Sequence, residues 1–146
     1  MAATRTDNLE ILLADIDDRI ARERTALFRD RLSTPFQALL KHGFIDGSFT
    51  VFDYGCGRGD DLRLLEAGGI EARGWDPHYA PKEPITSADV VNLGFVINVI
   101  EAPNERLKVL RKAFSLAKRV LSVSVMLQGQ GRYEQVTPRS QPKNYS

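Results

Sequence analysis

Val51-Phe52-Asp53-Tyr54-Gly55-Cys56-Gly57-Arg58-Gly59-Asp60 reads as a buried strand that runs straight into a glycine turn and opens a helix. Val51 and Phe52 are strand formers, and glycines at 55, 57 and 59 supply turn conformations and a close backbone approach that a Cβ would block. The spacing is G-x-G-x-G, whereas a dinucleotide fingerprint needs G-x-G-x-x-G and would require glycine where Asp60 stands. Asp53 closes the strand with a carboxylate, which suits an ammonium group and a sulfonium cofactor better than a pyrophosphate. The stretch therefore predicts a binding turn for S-adenosylmethionine (SAM) rather than NAD. The plainer alternative is an ordinary strand-turn-helix corner.

A second acidic strand end follows at the distance such a site requires. Residues 70–75 have the length of a strand, parallel to the first if the helix between them is a right-handed crossover, and they run into Gly74-Trp75-Asp76-Pro77. The Asp76 carboxylate is predicted to accept the ribose hydroxyls of an adenosine group, and Pro77 stops the strand. Trp75 either packs in the core or flanks the adenine. Cys56, the lone cysteine, is read as a small turn residue in preference to a nucleophile.

Residues 78–87 are too few for a full helix and strand, so the segment after the second strand is predicted to be reduced to a loop. Ala88 to Phe95 reads as a third strand, residues 96–100 as helix or loop, and Pro103 onward as a helix with Leu107, Leu110, Ala113, Phe114 and Ala117 inward and Lys118-Arg119 at its end. Val120 to Leu127 alternates into a fourth strand. Toward the amino terminus, Leu9, Leu12, Leu13, Ile16, Ile20, Leu27 and Phe28 mark one face of a helix, and Ser33-x-Pro35 opens a second helix that ends at Gly43. The arginines of the first helix are interleaved with acids, which favours a solvated face over a DNA patch. The expected organisation is an N-terminal helical extension packed on the core over residues 1–48, a SAM-binding core over 49–127, and a flexible tail over 128–146.

A length of 146 residues suffices for one domain with its own core. Twenty Lys and Arg against 19 Asp and Glu leave a net charge of +1, so composition makes no electrostatic case for nucleic acid or membrane. A single cysteine and the absence of a signal pattern or long apolar run lead us to expect a soluble, cytoplasmic protein without membrane partners.

These residues together resemble the DNA phosphorothioation-associated methyltransferases of the class I SAM-dependent superfamily. The resemblance covers roughly residues 25–127 and is carried by Leu32-Ser-x-Pro35, Asp53-Tyr-Gly-Cys-Gly-Arg-Gly-Asp-Asp61, Gly74-Trp-Asp-Pro-His-Tyr79 and Ala88-Asp-Val-Val-Asn-Leu-Gly-Phe-Val-Ile-Asn-Val-Ile-Glu101. The glycine motif is shared widely; the second and third blocks are more specific. The resemblance implies a Rossmann-like α/β sheet, abbreviated to four main parallel strands with N-terminal helices. It also implies a cofactor site built from Asp53, Tyr54, Gly55, Cys56, Gly57, Gly59, Asp60, Trp75, Asp76, Pro77, Asn92 and Leu93, with no metal, and a partner in DNA or a DNA-modification complex. Family members continue past the strand matching residues 120–127, so the closing strand pair is expected to be absent. An open edge strand there would seek a second copy or a separate C-terminal portion. The alternative function is a non-catalytic SAM-binding or scaffold module that lacks its substrate half.

Methyl transfer chiefly needs alignment and exclusion of water. Asn92 is the candidate catalytic residue, since Asn92-Leu-Gly-Phe95 has the amide-then-aromatic order of corners that hold a flipped base; a strand-end hydrogen bond is the competing role. Asn98 and Glu101 either line the same mouth or cap the next helix, and His78 and Tyr79 fall in the loop after Asp76.

Overall fold

The computed structural model describes residues 5–127. Helix α1 (Arg5–Phe28) and α2 (Thr34–Lys41) precede strand β1 (Val51–Tyr54); then come α3 (Asp60–Ala67), β2 (Ala72–Trp75), β3 (Ala88–Gly94), a 3-10 turn (Ile97–Val99), α4 (Pro103–Leu116) and β4 (Ala117–Ser124). The four strands are all parallel in the order β2-β1-β3-β4. This α/β arrangement with N-terminal helices is compatible with a Rossmann-like fold. No helix among the described residues is long and apolar enough to cross a membrane.

Alternation along β1 sends Val51 to one face and Phe52 and Tyr54 to the other. Val51, Ala72 and Val90 pack under Phe28, Phe36, Leu39 and Leu65, so α3, α2 and the end of α1 cover that face. Phe52, Tyr54, Val91 and Leu93 pack against Ala113 of α4 on the opposite face. The reduced segment between β2 and β3 carries no helix or strand, as its length implies.

The β1–β3 register is held at its amino end by a reciprocal clamp. The Asp89 carboxylate accepts from the Thr50 backbone N–H (3.0 Å) and hydroxyl (3.2 Å), while the Thr50 hydroxyl oxygen accepts from the Asp89 N–H (3.0 Å). Those bonds, led by the Thr50 backbone N–H, hold the Asp89 carboxyl below its ordinary range, and Arg119 of β4 approaches it at 3.5 Å.

Three sequence expectations need correction. Strand β4 starts three residues earlier than the alternation suggested, at Ala117, so Lys118 and Arg119 belong to the strand; α4 passes into it without a loop. On α4 the inward stripe is Val109, Ala113 and Leu116, and Phe114 is 72% exposed, with Leu107 and Leu110 also outward. Two apolar stripes run along this helix, and periodicity alone does not choose between them. Strand β2 begins at Ala72, leaving Ile70 as a buried lead-in. The expected tail lies outside the described residues.

Helix α1 meets the body through its last turns. The Phe28 ring lies over Gly68, where a Cβ would fall 2.2 Å from its Cζ, and Arg24 donates to the carbonyls of Gly68 (2.7 Å) and Asp46 (2.5 Å). The φ of −85° at Gly68 suits any residue, so Gly68→Ala tests the ring contact alone. We expect a loss of about 1–3 kcal/mol in denaturant unfolding; an unchanged midpoint would show that the α1 anchor contributes nothing to folding.

Candidate functional site

The chain leaves β1 for β2 on one side and returns to β3 on the other, so the strand order reverses between β1 and β3. Such a switch point opens a crevice at the carboxyl ends of the strands, where ligands of α/β sheets gather. Asp53 and Asn92 are register partners at this place, and Gly74 and Ser122 continue the row across all four strands.

Both polar side chains are buried, Asp53 to 5% and Asn92 to 3% exposure. The Asn92 amide nitrogen donates to Asp53 Oδ1 at 3.0 Å, while Asn92 Oδ1 is buried with no hydrogen-bond partner. An acceptor left this way costs about 1–3 kcal/mol unless a donor reaches it. Burial pushes the Asp53 carboxyl up to about 7; the Asn92 bond opposes this, and Asp61 and Asp76 add to it by repulsion. A buried carboxylate beside an acceptor that lacks a donor is an arrangement that a cationic donor would complete.

The glycine turn is shaped by bonds to β2. Gly55 (φ 87°) and Cys56 both donate their N–H to the Trp75 carbonyl, at 2.8 and 3.0 Å, and the Gly59 N–H goes to the Cys56 carbonyl. The Gly57 N–H goes to Asp76 Oδ2 at 2.9 Å. Four amides of the turn are thus spent inside the protein, and the turn does not offer the nest of free N–H groups that a pyrophosphate needs. Asp76 Oδ1 accepts from the His78 and Tyr79 N–H groups at 2.8 and 2.9 Å. Burial works against the Asp76 charge, but the Tyr79, His78 and Gly57 amides outweigh it and hold the carboxyl below its ordinary value. Asp76 therefore organises the turn and the following loop, a role its sequence context did not reveal.

A concavity of about 470 Å³ lies against this turn, between α3 and the open edge of β2. Gly57 and Gly59 form its floor, Arg58, Tyr79, Glu66 and Glu83 reach its wall, and the Arg58 guanidinium sits 5.6 Å from the Tyr79 ring centroid. Nothing lies within 4 Å of where a Gly57 Cβ would stand, so the turn is open on that side.

The other sequence candidates are distributed unevenly. Tyr54, Leu93 and Trp75 pack in the α4-side core, where Trp75 meets Tyr54 at 5.4 Å between centroids and its indole N–H reaches the Pro81 carbonyl. Pro77 is exposed in the turn after β2, and Asp60 is exposed and paired with Arg63. Cys56 has its thiol pushed up to about 11, first by burial and then by Asp53 and Asp76, so it is a poor nucleophile. Asn92 and Phe95 do not face together: the amide is turned into Asp53, whereas Phe95 is 39% exposed in the left-handed region (φ 60°). Asn98 grips the Met126 backbone from both sides, donating to its carbonyl (2.6 Å) and accepting from its N–H (2.8 Å). Two contributors were missed from the sequence. Asp61 Oδ1 accepts from the Ser33 N–H (2.8 Å) and fastens α2 beside the crevice, and Ser122 extends the polar row.

In comparisons with family models, curated proteins and solved structures, the chain has no match, and its chemistry is read from its own geometry.

The raised Asp53 value has a definite sign in stability. A carboxyl lifted from 3.8 unfolded to about 7 folded contributes stability that is fully present below the lower value and lost as pH rises through the upper one. Asp53→Asn keeps an acceptor for Asn92 and removes the titration. We expect the variant to gain on the native chain by a few kcal/mol between pH 5 and pH 8 in urea unfolding; parallel curves for the two proteins would show that Asp53 does not titrate in this window.

Proposed function

We propose that this chain is the SAM-binding core of a methyltransferase. The observation that carries the reading is the Asp53–Asn92 pair at the switch point, a buried carboxylate beside an acceptor that lacks a donor. An α-ammonium group satisfies both, bonding to Asn92 Oδ1 while compensating the Asp53 charge. The residues present fit SAM on that ground, and the open face of Gly57 leaves room for a ligand along the turn. Asp76 keeps the turn closed against β2 and has acceptor capacity left for a hydroxyl of the ribose.

SAM supplies an electrophilic methyl group on a sulfonium sulfur. The chain's own work is binding and orientation. Asp53 and Asn92 hold the ammonium end, the glycine turn sets the approach, and Phe95 presents an aromatic face at the end of β3 where an acceptor can stack. The row of acids at the strand ends, Asp53 and Asp76 with Asp61 nearby, favours a positively charged cofactor over a pyrophosphate. The sequence resemblance supports an acceptor within a DNA-modification system linked to phosphorothioation, and the single cysteine suits a reducing, cytoplasmic setting.

A second reading is a SAM-binding module completed by another polypeptide. Phe114 on α4 and Val123, Val125, Met126 and Leu127 at the end of β4 are exposed beside an edge that pairs with no further described strand. A C-terminal portion supplied separately would cover these residues and complete the acceptor site.

Calorimetry with SAM, its demethylated product and NAD tests the binding. We expect SAM and its product to bind with a dissociation constant of about micromolar order and NAD not to bind. Because the ammonium group needs Asp53 ionised, affinity should fall about tenfold per pH unit below roughly pH 7, with proton release on binding, and this dependence should vanish in Asp53→Asn. Preferential binding of NAD, or no heat with SAM at saturating concentration, overturns the reading. Transfer of labelled methyl groups to DNA by the chain alone would separate the catalytic reading from the module.

A further inference from the structure

The near-neutral net charge conceals a local imbalance. Between Pro103 and Arg119, across α4 and the first residues of β4, stand Arg106, Lys108, Arg111, Lys112, Lys118 and Arg119 against Glu105 alone. Two of these cations are engaged: Arg106 Nε donates to the Ile100 carbonyl (2.5 Å), and Arg119 lies 3.5 Å from Asp89. Lys108, Arg111, Lys112 and Lys118 are exposed and, among the described residues, have no ion-pair partner. Asn104, Lys108, Arg111 and Lys112 follow at steps of four, three and one, so they share one face of α4. That face is separate from the inward Val109, Ala113 and Leu116 and from the outward Leu107, Leu110 and Phe114.

A cavity of about 250 Å³ continues this array at the amino ends of the strands, the end of the sheet opposite the Asp53–Asn92 crevice. Arg73 of β2, Lys118 of β4, Thr86 and Ser87 line it, and Glu71 is the one acid on its wall. Arg73 is the register partner of Phe52, so it projects from the sheet face that α4 covers, where the reduced segment after β2 supplies no helix. Among the described residues Arg73 has no ion-pair partner, and the Thr86 and Ser87 hydroxyls have no hydrogen bond. Helix α4 passes into β4 without a loop, which keeps Lys118 within about 13 Å of Lys112 along the chain.

We propose that this surface, the basic stripe of α4 with Arg73 and Lys118 beyond its carboxyl end, binds the phosphate backbone of duplex DNA without reading its sequence. Five unpaired cations and two free hydroxyls on one side of the sheet are the complement of a row of phosphodiesters. No aromatic ring interleaves the five, since Phe114 stands on the other exposed stripe, so the surface lacks the stacking platforms that single strands use. A lipid surface fits less well. The recessed Arg73 and Lys118 are reached by discrete phosphates and not by a flat bilayer, and the cations flank the apolar stripe of α4 on one side only, Arg106 on the other being bonded to Ile100. The proposal stands independently of the cofactor reading, because none of these residues belongs to the Asp53–Asn92 crevice.

Fluorescence anisotropy of the full chain with labelled DNA duplexes of unrelated sequence, without SAM and over a range of salt, tests the proposal. Affinity should be the same for each sequence, and log K should fall against log salt with a slope of about −4 to −5, the value for five neutralised phosphates. Lys108→Gln, Arg111→Gln and Lys112→Gln together should weaken binding at low salt about tenfold or more and reduce the slope by about 3. Arg73→Gln with Lys118→Gln should reduce it by about 2. Arg19→Gln, Arg22→Gln and Arg29→Gln remove as much charge from α1 and should change affinity less than about threefold. Glutamine keeps the helix propensity of the residues it replaces, and equal urea midpoints check that each variant folds. No binding to duplex at low salt overturns the proposal. So does an α1 variant that loses as much as the α4 variant, an α4 variant that binds as the native chain does, or tighter binding to phosphatidylserine vesicles than to duplex. Because no cofactor is present, each of these outcomes leaves the Asp53–Asn92 reading untouched.

Discussion

The Thr50–Asp89 clamp is the constraint on which the crevice depends. Both backbone amides and both side chains take part, so the first residues of β1 and β3 are locked in one register. Three residues further along each strand, that register sets Asp53 beside Asn92. A slip of one residue in β3 would turn Asn92 to the α4 face and put an apolar neighbour against a buried carboxylate. Such a state carries an uncompensated charge or an unpaired acid, and either costs far more than one ladder bond. Arg119 extends the clamp to β4, and its guanidinium also lies 5.1 Å from the centroid of the Phe49 ring. The polar row at one end of the sheet is thus specified by polar bonds at the other.

The central strand, glycine turn, α3 and the loop-like segment after β2 were legible because each has a local cause: glycines that permit positive φ, acids at a helix start, and too few residues for another element. The outward and inward stripes of α4 were not legible. Leu107, Leu110 and Phe114 repeat at three and four residues as regularly as Val109, Ala113 and Leu116, and only the position of the sheet distinguishes them. The start of β4 was misplaced for a related reason. Lys118 and Arg119 look like the end of a helix near its negative pole, yet they occupy the first residues of an edge strand where their side chains stay in water.

The candidate site was legible by residue and not by role. Asp53, Asn92 and Asp76 stand out as polar groups at strand ends, but their partners come from sequence-distant backbone. Asp76 reads as a ligand from its position after β2, and the structure gives its oxygens to three amides, including that of Gly57, nineteen residues earlier. The pairing of Asn92 with Asp53 spans thirty-nine residues and follows from strand order alone. Ser122 and Asp61 carried no motif signal, since each acquires its place only when helices and strands are assembled.

The segment from Phe95 to Asn98 joins two regions of the molecule mechanically. The Phe95 N–H is bonded to the Ser124 carbonyl at 2.8 Å while its backbone occupies a left-handed conformation that costs an aromatic residue on the order of 1 kcal/mol, and Asn98 is fastened to Met126 by two further bonds. The residues that follow β3 are therefore fastened to the last residues of β4 and to Met126 beyond it. A strand that pairs beside Ser124 and Met126 would therefore bear on the same backbone bonds that hold Phe95 and Asn98 after β3.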